Sequence, residues 1–244
     1  MNILAVDTAG KTAAVAVWQD GSLLYELFGN TGLTHSETLL PMVDAALRAC
    51  HLTTDDVDVY GVTAGPGSFT GLRIGLAAVK GLALPRNTLC AGVSTLQALA
   101  FGLTGEGTVI GALDARRGQV YWAAFDLGSH ARLTPDDAAP VETLENFVKD
   151  CKKPLLFVGD GAALCYNKFS QVTGVLPCPA ALRGLRGAGV ALAAAAAAEA
   201  GQCVPPAALL PNYHRLSQAE RERAEREAQA GSNTAQNHST PTIG

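Results

Sequence analysis

The chain has 244 residues, of which 48% are hydrophobic, 26 are glycine and only 16% are charged. That composition excludes a disordered chain and supplies core enough for one large domain or two small lobes. It also leaves more apolar surface than a lone monomer usually shows, so a protein partner is expected. The net charge of −4 argues against a stand-alone nucleic-acid binder, which needs a basic footprint.

Residues 2–7 and 13–18 are apolar runs separated by the turn Thr8-Ala9-Gly10-Lys11. Gln19-Asp20-Gly21-Ser22 is a second turn signal before the run 23–27, so the chain opens as an antiparallel meander. Helical spacing of Leu39, Leu40, Val43, Ala46, Leu47 and Cys50 predicts a helix over 34–50, with its first turn near Pro41 or a bend there. Residues 57–63 read as a buried strand running into Gly65-Pro66-Gly67-Ser68 and then an apolar helix to about Leu84. A short strand over 90–93 leads to a helix opening at Ser94-Thr95-Leu96-Gln97.

A second unit begins at Thr108, with strands over 109–113 and 119–125 around the turn Asp114-Ala115-Arg116-Arg117-Gly118. A strand over 154–158 ends in Gly159-Asp160-Gly161, and an alanine-rich helix covers about 188–200. A hairpin-first α/β unit thus occurs twice, the second copy shorter and with fewer strands. The expected organisation is a first lobe over 1–107, a reduced second lobe over 108–216, and a tail over 217–244. The tail starts as an Arg/Glu helix capped at Ser217 and reads as disordered from Gly231.

The six cysteines form no C-x-x-C pair, and the N-terminus reads as a strand rather than a signal peptide. A cytoplasmic location is therefore expected. The apolar run 187–198 is shorter than the roughly 20 residues of a membrane span and reads as a packed helix, so no membrane is expected. The five histidines include no H-x-x-H pair, which gives no metal site; capping or surface roles suit His35 and His214. No G-x-S-x-G elbow marks Ser68 as a nucleophile.

Three features could carry function. Asp7-Thr8 and Asp114 close equivalent strands before hairpin turns, where backbone N–H groups can hold phosphates and an aspartate can face a metal ion. Paired in two duplicated lobes, they describe the actin, sugar-kinase and heat-shock ATPase fold. Gly65, Gly67 and Ser68 form a glycine-rich loop that serves either as an anion site at a helix N-terminus or as a tight turn capped by serine. In the helix that follows, Gly71, Gly75, Ala78 and Leu82 share one face, with Gly81 beside it, while Leu72, Leu76, Val79 and Ala83 share another. Each interior glycine lowers helix propensity by about 1 kcal/mol, so close approach is expected on the small face, either of a partner protein or of the 34–50 helix.

Taken together, several strings resemble the TsaB (YeaZ) family. They are Asn2-Ile3-Leu4-Ala5-Val6-Asp7-Thr8-Ala9, His35-Ser36 with Leu39-Leu40-Pro41, the highly specific Gly65-Pro66-Gly67-Ser68-Phe69-Thr70-Gly71-Leu72-Arg73-Ile74-Gly75, Gly92-Val93-Ser94-Thr95-Leu96, Asp114-Ala115-Arg116-Arg117-Gly118-Gln119-Val120-Tyr121 and Pro211-Asn212-Tyr213-His214-Arg215. The likeness spans about 1–216. It implies a two-lobed actin-like ATPase (ASKHA) fold with duplicated ribonuclease H-like lobes. It also implies a noncatalytic, cofactor-free subunit of tRNA N6-threonylcarbamoyladenosine modification. The implied partners are the paralogous transferase TsaD, as a heterodimer, and the P-loop ATPase TsaE; the same surface can serve for a homodimer when the partner is absent, and tRNA is reached only through the complex.

On this reading the partner surface involves His35, Leu39, Val43, Leu47, Gly71, Gly75, Ala78 and Leu82, and Asp7, Thr8, Gly65, Gly67, Ser68 and Asp114 mark a vestigial nucleotide site. The transferase carries an H-x-x-x-H pair after its G-V segment, whereas Gly92-Val93 is followed here by Ser94 and Thr95, which cannot replace two imidazoles. The rival class is an independent ATP-dependent phosphotransferase of the sugar-kinase type. Peptidase activity lacks a nucleophile–base pair or metal site.

Overall fold

The structure, a computed structural model, describes residues 1–213; His214 and the expected charged helix and tail over 217–244 lie outside the described residues. Strands β1 (Asn2–Asp7), β2 (Ala13–Gln19) and β3 (Ser22–Gly29) form the meander. β4 (Val59–Gly65) and β5 (Leu89–Ser94) then add in parallel to β1, giving the order β3-β2-β1-β4-β5. In the second half, β6 (Thr108–Asp114), β7 (Gln119–Asp126) and β8 (Asp137–Pro140) form another meander. β9 (Leu155–Val158) and β10 (Val175–Leu176) add in parallel to β6.

Both sheets therefore have five strands in one topological order, which corrects the expectation of fewer strands in the second. β8 and β10 escape sequence reading because four and two residues are too short to show a period of two.

Helix α1 (His35–Ala49) starts where Glu37 accepts the N–H (3.0 Å) and hydroxyl (2.6 Å) of Thr34. That anchored first turn carries the helix through Pro41 rather than starting at it. α2 (Phe69–Ala83) lies beside α1, and together they cover one face of the first sheet, over a core of Leu4, Val15, Tyr60 and Val62. α4 (Glu145–Asp150) and α5 (Ala162–Phe169), both missed from sequence, cover the outer face of the second sheet.

The two halves exchange their last helices. α3 (Thr95–Phe101) packs on β6 and β7, and α6 (Gly187–Glu199) lies across β1, β2, β4 and β5 and against α3. By length and composition alone Ala180–Glu199 would pass for a membrane span. Within it, Val190, Ala191, Ala193 and Ala194 are buried against the first sheet, and their small side chains permit the close approach.

Candidate functional site

The connection from β4 to α2 is built for contact with two distant segments. Gly65 has φ +132°, and a Cβ on it would collide with the Asn212 carbonyl oxygen; one on Gly67 would lie 2.6 Å from the Ala9 oxygen. Asn212 N–H donates to Ala64 O at 2.7 Å, and Ser68 N–H to Ala9 O at 2.7 Å. Ser68 Oγ accepts the Gly71 N–H at 3.2 Å and so caps α2. Beyond the cap, Tyr213 stacks on Phe69 with centroids 4.2 Å apart, Arg73 Nε donates to its hydroxyl at 3.1 Å, and the guanidinium lies 4.1 Å from the Phe69 centroid. The glycine-rich string and the Pro-x-Tyr string, 140 residues apart between Arg73 and Tyr213, are two halves of one latch. Of the two sequence readings of the loop, the capped turn is the one found.

Leu72, Leu76, Val79 and Ala83 are buried against the first sheet. Gly71 and Gly75 are buried as well, against the β1–β2 hairpin. A Cβ on Gly71 would strike the Thr8 carbonyl oxygen, and one on Gly75 would lie 2.5 Å from Thr8 Oγ1, which itself donates to Gly71 O at 2.8 Å. The Gly71 and Gly75 end of the expected small-residue face is thus filled from within, by the hairpin.

Leu39, Val43 and Leu47 also face inward, none more than 5% exposed, and the half-buried His35 ring bonds Gly10 O at 2.9 Å. Leu39, Val43, Leu47, Gly71 and Gly75 are corrected from partner surface to internal packing, because periodicity identifies an apolar face without saying which neighbour covers it. Ala78 and Leu82 are half-buried at the rim of the outward face. Exposed on these helices are Leu40, Pro41 and Ala45 of α1, beside the Asp44–Arg48 ion pair, and Ala77 and Gly81 of α2, with Leu84 just beyond; Leu40 is 52% and Leu84 66% exposed.

The C-terminal ends of β1 and β6 open on a cavity of about 330 Å³. Asp7, the last residue of β1, lines it and is fully buried. Its Oδ1 accepts from Thr63 Oγ1 at 2.7 Å and Ala9 N–H at 2.9 Å, while Oδ2 has no hydrogen-bond partner. Burial pushes the carboxyl up to about 6, against the opposing pull of those hydrogen bonds and of His35. Thr95, buried at the start of α3, also lines the cavity with an unpartnered Oγ1.

The counterpart Asp114 is exposed. It accepts the Arg116 N–H at 2.7 Å and donates its own N–H to Asp160 Oδ1 at 2.8 Å, and Asp160 reaches the cavity. Asp160, Lys11, Thr95 and Arg183 were not recognised from sequence as cavity residues. Asp160 had a signal in its two flanking glycines, and the others had none.

Of the six candidate nucleotide residues, Asp7 alone lines the cavity. Three N–H groups of the turn and the loop are engaged within the protein: Ala9 with Asp7, Ser68 with Ala9, Gly71 with Ser68. Asp7 and Asp160 balance Lys11 and Arg183 around the wall, so no surplus of cations faces a polyanion.

Two sheets of one strand order, each covered by the other half's last helix, define a two-lobed α/β protein of the actin-like ATPase fold with duplicated ribonuclease H-like units. YeaZ from Pseudomonas aeruginosa superposes with a TM-score of 0.72 at 26% identity, over 87% of this chain and 99% of that one. The family model described as TsaD, tRNA N6-adenosine threonylcarbamoyltransferase, matches residues 30–223.

The tRNA threonylcarbamoyladenosine biosynthesis protein TsaB of Bacillus subtilis is 31% identical over 177 residues, 71% of this chain and 77% of that protein. TsaB of Escherichia coli is 41% identical over 128 residues, a match that spans only 51% of this chain and 55% of that protein. The chain belongs to the TsaB (YeaZ) family, within the wider TsaD-type group.

Proposed function

We propose that the chain acts in tRNA N6-threonylcarbamoyladenosine biosynthesis as a noncatalytic, cytoplasmic subunit. In this role it binds and activates or stabilises a TsaD-type transferase, joins TsaE in the complex, and meets tRNA only there. The names of its relatives supply the pathway. The observation that carries partner binding is the outward face of α1 and α2, where Leu40 and Leu84 stand exposed beside Pro41, Ala45, Ala77 and Gly81. Exposed large apolar side chains next to small ones offer a partner helix a place to pack, which supports this reading.

Support for a noncatalytic role comes from the residues after Gly92-Val93, where the transferase pattern has histidines. Ser94 Oγ here caps α3 by accepting the Gln97 N–H at 3.2 Å and donates to Asp136 at 2.7 Å. These are structural duties.

The test is to mix the full chain with the TsaD paralogue of the same genome and follow complex formation by size exclusion and calorimetry. Co-elution with restored modification activity is expected. Failure to associate at roughly 10 μM, weaker than a standard stable interface, would overturn the reading. Steady ATP turnover by the isolated chain would favour the sugar-kinase class instead.

A further inference from the structure

A groove of about 360 Å³ lies between the first half of α1 and the end of β3. Its lining is largely apolar, from Leu27 and Phe28 of β3, Leu33 of the connection that follows, and Pro41 and Met42 of α1. Leu33 is 59% and Phe28 39% exposed, so the groove is open to solvent. Most of the polar side chains on its wall are already engaged. Glu37 accepts the Thr34 N–H and hydroxyl, Thr38 Oγ1 donates to Thr34 O at 3.2 Å, and the His35 ring bonds Gly10 O. A small-molecule site fixes its occupant through a few convergent polar groups. Here those groups hold the entry into α1, and apolar contact is left to do the recognition, with the exposed Lys11 beside it.

The groove also adjoins the surface assigned above to a partner protein. At helical spacing Glu37, Leu40, Pro41 and Asp44 fall on one side of α1. Two of them, Glu37 and Pro41, line the groove, so the exposed Leu40 stands at its edge. We propose that this groove receives a bulky apolar side chain of the TsaD-type partner, as an anchor at the α1 end of the contact. An apolar side chain seated in a pocket is the kind of contact that carries much of the energy of an interface. The unbranched thioether of Met42 lets the wall adapt to the shape of that side chain. The inference rests on the proposed subunit role and adds where on this chain the partner is gripped.

The experiment uses the full chain and the purified TsaD paralogue of the same genome. Leu33 is replaced by a benzophenone-bearing phenylalanine for photo-cross-linking and, separately, by aspartate. Leu133, 49% exposed in the second half of the chain, receives the same two changes as a control. Position 33 is expected to cross-link to an apolar residue of the paralogue, identified by mass spectrometry, and position 133 is not. Leu33→Asp is expected to weaken the complex by about tenfold or more, with Leu133→Asp unchanged and both free variants unfolding as wild type does. Unchanged affinity of Leu33→Asp, or a cross-link from position 33 to a second copy of the chain in place of the paralogue, would overturn the anchor while the wild-type complex keeps the subunit role standing. Failure of the wild type itself to form a complex would overturn that role, and the anchor with it.

Discussion

Helix α2 carries small residues on two sides, and they do different work. On the inner side, Gly71 and Gly75 admit the Thr8 backbone and hydroxyl, so that helix and hairpin lock through the bond from Thr8 Oγ1 to Gly71 O. On the outer side, Ala77 is exposed and a Cβ on Gly81 would meet nothing within 4 Å. Inner glycines are therefore requirements of the fold. Outer small residues have no such duty inside the chain, and the proposed interface is what gives them one. A sequence pattern that runs small residues around a helix mixes these two causes, and only the neighbours separate them.

The largest expected effect lies on the inner side. Gly71→Ala places a methyl group on the Thr8 carbonyl oxygen, a backbone atom that cannot turn away, and should destabilise the protein by about 3–5 kcal/mol, the range of severe core disruption. Gly75→Ala meets a side-chain hydroxyl at 2.5 Å and should cost less. Urea unfolding of both variants measures the difference. Equal, small losses would mean that the hairpin is not held as closely as the contacts indicate.

The hairpin that seats α2 also carries a titrating device. The Asp7 carboxyl is raised from 3.8 to about 6 by burial. For an acid raised in the folded state, the folded protein binds the proton more tightly. Asp7 therefore favours folding most below pH 4, and that contribution is lost as pH rises through 6. At 1.36 kcal/mol per unit the swing is about 3 kcal/mol. Other carboxylates, Glu37, Asp56, Asp126 and Glu145, are lowered by hydrogen bonds and act in the opposite sense. The clean measurement is thus a difference. The stability of wild type minus that of Asp7→Asn should fall by about 2–2.5 kcal/mol between pH 4 and 7. A flat difference would mean that the carboxyl titrates in water.

Much of the fold was legible because it rests on local signals. Runs such as 2–7 and 13–18 with a turn between them specify a hairpin, and its recurrence at 109–125 specifies the duplication. The latch and the cavity were not, because each depends on residues brought from far apart. Nothing near Arg73 indicates that Tyr213 will lie on Phe69, and nothing near Thr95 indicates that it will line one cavity with Asp7. Likewise Leu39, Val43 and Leu47 read as an apolar stripe, but a stripe does not say whether the sheet or a partner covers it. The exposed Leu40, one residue out of phase, was the better pointer to the surface.

On the outer side of α2, Ala77→Glu should leave the free protein within about 0.5 kcal/mol of wild type while weakening the complex with the TsaD-type partner by about 2 kcal/mol or more, the scale of an interface hot spot. Calorimetry of the pair, beside thermal unfolding of the chain alone, reads both. Unchanged affinity would move the proposed interface elsewhere. At the helix start, Tyr213→Ala removes the stack on Phe69 and the bond to Arg73, and should cost about 1–1.5 kcal/mol in unfolding measurements.

Gly81→Ala gives the smallest effect and the sharpest contrast, because its sign differs between the two states of the chain. In the free protein the new methyl group enters open space. The helix loses a flexible residue and gains a good helix former, so stability should rise by about 0.5–1 kcal/mol. In the complex, if the outer face of α2 lies against another helix as closely as its inner face lies against the hairpin, the same methyl group has no room and affinity should drop. Thermal unfolding of the free chain and titration with the partner therefore give opposite signs for one methyl group. A gain in stability with unchanged affinity would leave Gly81 without a role in close approach and would confine the interface to the α1 side, around Leu40 and Ala45.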